Sequence, residues 1–137
     1  MVISGDRENI LGGLRAALRD RPDVYVALLF SSFARGTAQS DSDVDVAILA
    51  PGVDGLTLRA QLTEKVGREV DVAPLETAGV PLLENVLRDG IVVHEGRAGA
   101  GAMFRSHALA TLETDRSWFV RMRDSWLQRV AERGIGW

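Results

Sequence analysis

Apolar positions along the chain fall into short sets with different spacings. From Ser4 onward, Ile10, Leu11, Leu14, Ala17 and Leu18 share one face at helical spacing. Ser4 can cap that helix, and Arg21-Pro22-Asp23 stops it, because proline disfavours helix in the residue before it. Val24 to Phe30 is a continuous apolar run bounded by turn residues, the pattern of a buried strand. Ser31 to Ser42 is small and polar with one glycine, so a loop or a short helical turn is expected. Asp43 to Leu49 alternates. Val44, Val46 and Ile48 face one way, and Asp43, Asp45 and Ala47 the other, which predicts a half-buried strand ended by Pro51-Gly52.

Leu56, Leu58, Leu62 and Val66 predict a helix over Gly55 to Val66, with Gly67 as its stop. Arg68 to Ala73 reads as a third strand, with Val70 and Val72 on one face and Asp71 on the other. Pro81 opens a short helix that Asp89-Gly90 closes, and Ile91 to His94 is a last short strand. Gly96 to Gly101 reads as a flexible joint. Met103 to Arg133 lacks Gly and Pro and is long enough for one helix of ~45 Å. Strands alternating with helices predict an α+β (α/β) fold rather than a bundle or sandwich. The expected division is a compact unit over 1–96 and a C-terminal helical extension over 97–137.

Composition narrows the chemistry. The 137 residues suffice for a core without disulfides, and the absence of Cys excludes a thiol nucleophile or a zinc knuckle. A net charge of −3 argues against a broad nucleic-acid footprint, so no direct nucleic-acid binding is expected. No apolar run approaches the ~18 residues of a membrane span. Met1 to Asn9 is too polar for a signal peptide. A soluble, cytoplasmic protein is expected.

The informative segment runs from Phe30 to Asp45. Asp43 and Asp45, two apart on a strand, project from one face ~6.6 Å apart along the chain. Strands are depleted in Asp, and the two charges repel. A divalent metal offsets that cost, since Mg²⁺ takes one or two carboxylates plus substrate phosphates. Asp71 offers a third carboxylate if its strand neighbours the first, enough for a two-metal site for phosphoryl displacement. Glu69, on the same face as Asp71, competes for that role. Ser31 and Ser32 follow a buried strand and can either cap a helical turn or cradle phosphates with the same N–H groups. Arg35 carries a fork suited to phosphate, or pairs with Asp41 or Asp43 in the loop. Gly36 permits an unusual backbone angle or a close approach.

On these residues the chain resembles the DNA polymerase β-type nucleotidyltransferase superfamily, whose signature is Gly-Ser, ten residues, then Asp-x-Asp. Here Ser32 is followed by ten residues and Asp43-Val44-Asp45. Phe33-Ala-Arg-Gly36, Ser42, and the stretch from Val70 to Gly90 are similar to its minimal bacterial nucleotidyltransferases. Among those, the MntA-type antitoxins paired with HEPN-domain (HepT-like) toxins look most alike. The one departure is Ser31, where the family has glycine.

The resemblance implies a nucleotidyltransferase fold with a small mixed sheet and a long C-terminal helix. It implies Mg²⁺ held by Asp43, Asp45 and Asp71, with Asp71 helping to deprotonate the attacking hydroxyl. ATP would be held by Ser31, Ser32, Arg35 and Gly36, and AMP transferred to a tyrosine of a partner HEPN-type toxin ribonuclease. Two alternatives stand beside this: a binding antitoxin weakened by Ser31 that acts by occlusion, and a small-molecule nucleotidyltransferase. All three Trp lie in the tail, at 118, 126 and 137, interleaved with Arg105, Arg116, Arg121, Arg123, Arg129 and Arg133. Aromatics beside Arg are enriched in interface hot spots, so Trp118 or Trp126 is expected in a homo- or hetero-oligomeric contact. His94 and His107 read as structural or exposed.

Overall fold

The computed structural model describes residues 4–38 and 42–133, with side chains beyond residue 114 only at 124, 125, 127 and 128. Asp41, offered as a partner for Arg35, and the tail tryptophans, for which an interface role was expected, lie outside these described residues and side chains. The chain order is α1 (Ser4–Leu18), β1 (Val26–Phe30), α2 (Ser31–Arg35), β2 (Val44–Leu49), α3 (Gly55–Val66), β3 (Val70–Pro74), α4 (Val80–Asp89), β4 (Ile91–Glu95) and α5 (Ala100–Arg133). A single 3₁₀ turn, Leu75–Thr77, joins β3 to the α4 region.

The four strands form one mixed sheet in the order β3-β2-β1-β4. β1 is antiparallel to both β2 and β4, whereas β2 and β3 run parallel. The central position of β1 explains its unbroken apolar run, for all five of its residues are buried. Ala27 and Leu29 join one core with Leu14, Leu18, Val44, Val46, Leu58, Leu62 and Val70 from α1, β2, α3 and β3. Val26, Leu28 and Phe30 point into a second core with Ala47, Leu83, Val86, Phe104 and Ala108, beneath α4 and α5. The helices thus cover both faces.

That double cover corrects the half-buried reading of β2. Its second face is closed at the centre, where Ala47 is fully buried, and half-open at Asp45 and Leu49. The physical reason is the cluster that Ala47 shares with Leu75 of the 3₁₀ turn, Leu83 and Val86 of α4, and Phe104 of α5. At the α3 N-terminus, Asp54 Oδ1 accepts from the Leu56 N–H at 3.1 Å, a side-chain cap. The helix ends at Gly67, as expected, in the left-handed conformation.

The segment read as a flexible joint is tied down at several points. The Gly96 N–H donates to the Tyr25 carbonyl at 3.0 Å, and the Gly101 N–H donates to Glu95 Oε2 at 2.9 Å. The Arg97 guanidinium lies 3.8 Å from the Tyr25 ring centroid and donates to its hydroxyl. His94 Nε2 stands 2.9 Å from the Arg21 carbonyl, a structural role, and His107 is exposed. Among the described residues, no helix is long and apolar enough to cross a membrane.

Candidate active site

The site is built where β1 leaves the sheet. No loop separates β1 from α2, so the chain turns from an extended Phe30 directly into a helix. Ser31 makes that turn with φ of 63°, and it is the only non-glycine with positive φ among the described residues. L-residues adopt this angle at a cost, which is why a glycine suits the position. Ser31 and Ser32 are half-buried at the start of α2, and Gly36 ends that helix in the left-handed conformation at φ of 78°. The short helical turn is thus the one anticipated between Ser31 and Ser42.

The carboxylates arrive on the neighbouring strands. Asp45 pairs with Phe30 on β1 and, on its other side, with Asp71 on β3. Asp43 is exposed just before β2 begins. The strand adjacency that would unite three carboxylates is therefore present. Burial pushes the Asp45 carboxyl above the usual carboxylate range. A hydrogen bond from the Ser31 side chain pulls it back, and the negative charges of Asp71 and Asp43 push it further up.

Two arginines complete the picture. Among the described residues, Arg35 forms its ion pair with Asp89 rather than with Asp43. Its Nη1 lies 3.0 Å from Asp89 Oδ2, at the end of α4, because α2 packs against α4. Asp89 also takes Arg88 at 3.1 Å, and both guanidinium groups hold its carboxyl below the usual range. Arg59 was not singled out at all. From α3 its Nη2 reaches Asp71 Oδ1 at 2.9 Å and Glu69 Oε1 at 2.8 Å. No periodic signal marks an exposed helix arginine; only the packing of α3 at the edge strand reveals it.

The donor chemistry suits a hard divalent cation. The oxygens are all carboxylate, one of them half-buried and repelled by its neighbours. Among the described residues, no three His, Cys, Asp or Glu side chains stand close enough to hold a metal ion as arranged. Mg²⁺ demands fewer, one or two carboxylates completed by substrate phosphates. A cavity of about 670 Å³ under α5 is lined by Tyr25, Leu75, Leu83, Met103 and Phe104, at the end of β1 remote from Ser31. Two of its polar side chains are already paired: Glu76 accepts from the Ala50 N–H at 2.6 Å, and Arg97 stacks on Tyr25. The carboxylate end is the better candidate.

Comparison with known proteins identifies a family and a shared fold. Residues 13–97 match the family described as Polymerase beta, Nucleotidyltransferase. The protein adenylyltransferase MntA of Shewanella oneidensis is 32% identical over 78 residues, which cover 53% of this chain and 56% of that protein. The match thus spans about half the length of that curated relative. A toxin–antitoxin crystal structure with AMP-PNP superposes with a TM-score of 0.71 at 22% identity, covering 85% of this chain and 98% of that one. The tri-AMPylated Shewanella oneidensis HEPN toxin in complex with the MNT antitoxin gives 0.67 at 19% identity, over 88% and 98% of the two chains. At these identities the structural likeness shows a shared fold.

Proposed function

The chain belongs to the polymerase β nucleotidyltransferase family, and from that premise we propose that it is an antitoxin that transfers AMP from ATP to a tyrosine of a HEPN-type toxin ribonuclease, silencing it. The reading draws on the adenylyltransferase relative and on the fold shared with toxin–antitoxin complexes. The observation that carries it is the register of β2 and β3, which sets Asp45 opposite Asp71 beside the Ser31 turn. It is a cytoplasmic, Mg²⁺-dependent reaction in this reading.

In the reaction the tyrosine oxygen bonds to the α-phosphorus, the α–β bridge breaks and pyrophosphate leaves. Ser31, Ser32 and Gly36 hold the phosphates, and Arg35 joins them by exchanging Asp89 for phosphate oxygen. Asp71 accepts the tyrosine proton. Asp43, Asp45 and Asp71 would hold Mg²⁺, which would supply charge neutralisation at the phosphates.

The test is transfer of radiolabel from ATP labelled at its α-phosphate to a HEPN-domain toxin. Label on a tyrosine, lost in Asp45→Asn, is the expected result. Label that persists in Asp45→Asn overturns the mechanism. One observation favours a second reading, neutralisation by occlusion alone. Ser31 places a side chain where the family has glycine and hydrogen-bonds the Asp45 carboxylate. Toxin neutralised with no label transferred supports that reading.

A further inference from the structure

Arg59 reaches the third carboxylate by an indirect route. Leu58 and Leu62 bind α3 to the face of the sheet that carries Val70 and Val72. Asp71 points from the opposite face, since neighbouring strand residues alternate. β3 is an edge strand. The guanidinium therefore comes around the open edge of β3 to meet Asp71. The same nitrogen bonds Glu69 Oε1 at 2.8 Å and Asp71 Oδ1 at 2.9 Å. Glu69 is itself fixed at the mouth of the site, where its carbonyl accepts the Val44 N–H at 3.0 Å, directly after Asp43.

We infer that Arg59 is a positioning residue for Asp71, and that Glu69 is the acceptor to which it withdraws when Asp71 engages a divalent cation. This rests on the nucleotidyltransferase reading above and deepens it. A guanidinium and a divalent cation compete for one carboxylate. With Asp71 as sole partner, Arg59 would have to be left unpaired for the metal to bind. Glu69 removes that penalty, because it already holds Arg59 by a full charge pair at 2.8 Å. The two residues together set how readily the third carboxylate accepts metal. All three side chains are part-exposed, at 41%, 62% and 43% for Arg59, Glu69 and Asp71, so solvent screens the competition and bounds its size.

The test uses the full chain with Mn²⁺ as probe. Free Mn²⁺ is counted by electron paramagnetic resonance in the presence of an ATP analogue with a non-cleavable α–β bridge. Arg59→Gln should tighten Mn²⁺ binding by about two- to fivefold, the range of an exposed ion pair. Transfer should slow in the same variant, because Asp71 loses its restraint. Glu69→Gln should weaken Mn²⁺ binding by a similar factor, and Arg59→Gln should largely cancel that loss in the double variant. Arg59→Lys keeps the competing charge and should bind Mn²⁺ as the wild type does. Unchanged Mn²⁺ affinity in both Arg59→Gln and Glu69→Gln, with binding lost in Asp45→Asn, reduces Arg59 to a surface ion pair. Unchanged binding in Asp45→Asn removes the metal-site reading itself, and this proposal with it.

Discussion

Asp45 stands opposite Asp71 across the parallel pair of β2 and β3. Two like charges in register on neighbouring strands oppose folding. Arg59 pairs with Asp71, and the Ser31 side chain hydrogen-bonds Asp45, which burial makes costly to ionise.

Asp45→Asn tests that arrangement by stability as well as activity. Burial, ahead of the charges of Asp71 and Asp43, raises the Asp45 pKa. Folding therefore favours its protonated form, and the ionised form costs stability above the folded pKa. The cost disappears as pH falls below the ordinary value of about 3.9. Asp45→Asn should melt higher than wild type near pH 7, with the difference gone by about pH 3. Transfer should fall by at least about a hundredfold, since even residues behind a metal ligand cost ten- to a hundredfold. A lower melting temperature at pH 7 would show that the Asp45 charge supports the fold.

Asp89→Asn should behave in the opposite sense. Hydrogen bonds from Arg88 and Arg35 hold the Asp89 pKa below its ordinary value. That stabilisation is present above the unfolded pKa and is lost as pH falls through the lowered folded value. The variant should melt below wild type at pH 7, and the two should converge in strong acid. High salt should also narrow the gap, because both guanidinium groups are exposed. A gap that persists at pH 2 would mean the carboxylate charge is not the cause.

What the sequence made legible follows from how each feature is encoded. The Asp43-Val44-Asp45 alternation and the β1 apolar run are local patterns of period and burial, and both strands form nearly where they were expected. Asp89 and Arg59 were invisible as site partners because their contacts depend on tertiary packing. Arg35 meets Asp89 only because α2 lies against α4, and Arg59 meets Asp71 only around a sheet edge. The second face of β2 was misjudged for a similar reason: the residues that close it at Ala47 come from the 3₁₀ turn, α4 and α5, further along the chain. The glycines of 96–101 suggested freedom, but composition does not reveal which of them are there for lack of space.

Gly96 and Gly12 separate those two uses. A Cβ on Gly96 would collide with the Val24 carbonyl and sit 3.0 Å from the Pro22 carbonyl, both backbone atoms. Gly12, exposed in the middle of α1, has nothing within 4 Å. Gly96→Ala should destabilise by at least about 1–3 kcal/mol, the scale of overpacking. Gly12→Ala should stabilise by about 0.5–1 kcal/mol through helix propensity. Urea unfolding of the two variants measures both, and a neutral Gly96→Ala would restore the joint to a flexible role.

Ser31 offers the sharpest separation of folding from function. Its φ of 63° is a cost that any Cβ bears, and its side chain hydrogen-bonds Asp45. Ser31→Ala removes the hydrogen bond and keeps the strained angle. Ser31→Gly removes both. The glycine variant should therefore be more stable than the alanine variant by about 1 kcal/mol, the lower end of the left-handed penalty. Equal stabilities would mean that the turn does not hold this angle in solution. Transfer is the second readout. The angle is already present in the free protein, so relieving it shifts the ground and transition states alike and leaves turnover within about threefold. A rise of tenfold or more in Ser31→Gly would instead mean that the side chain obstructs the nucleotide. That result would count for neutralisation by occlusion in the natural protein, since about 1.4 kcal/mol of binding energy would then have been lost at the phosphates.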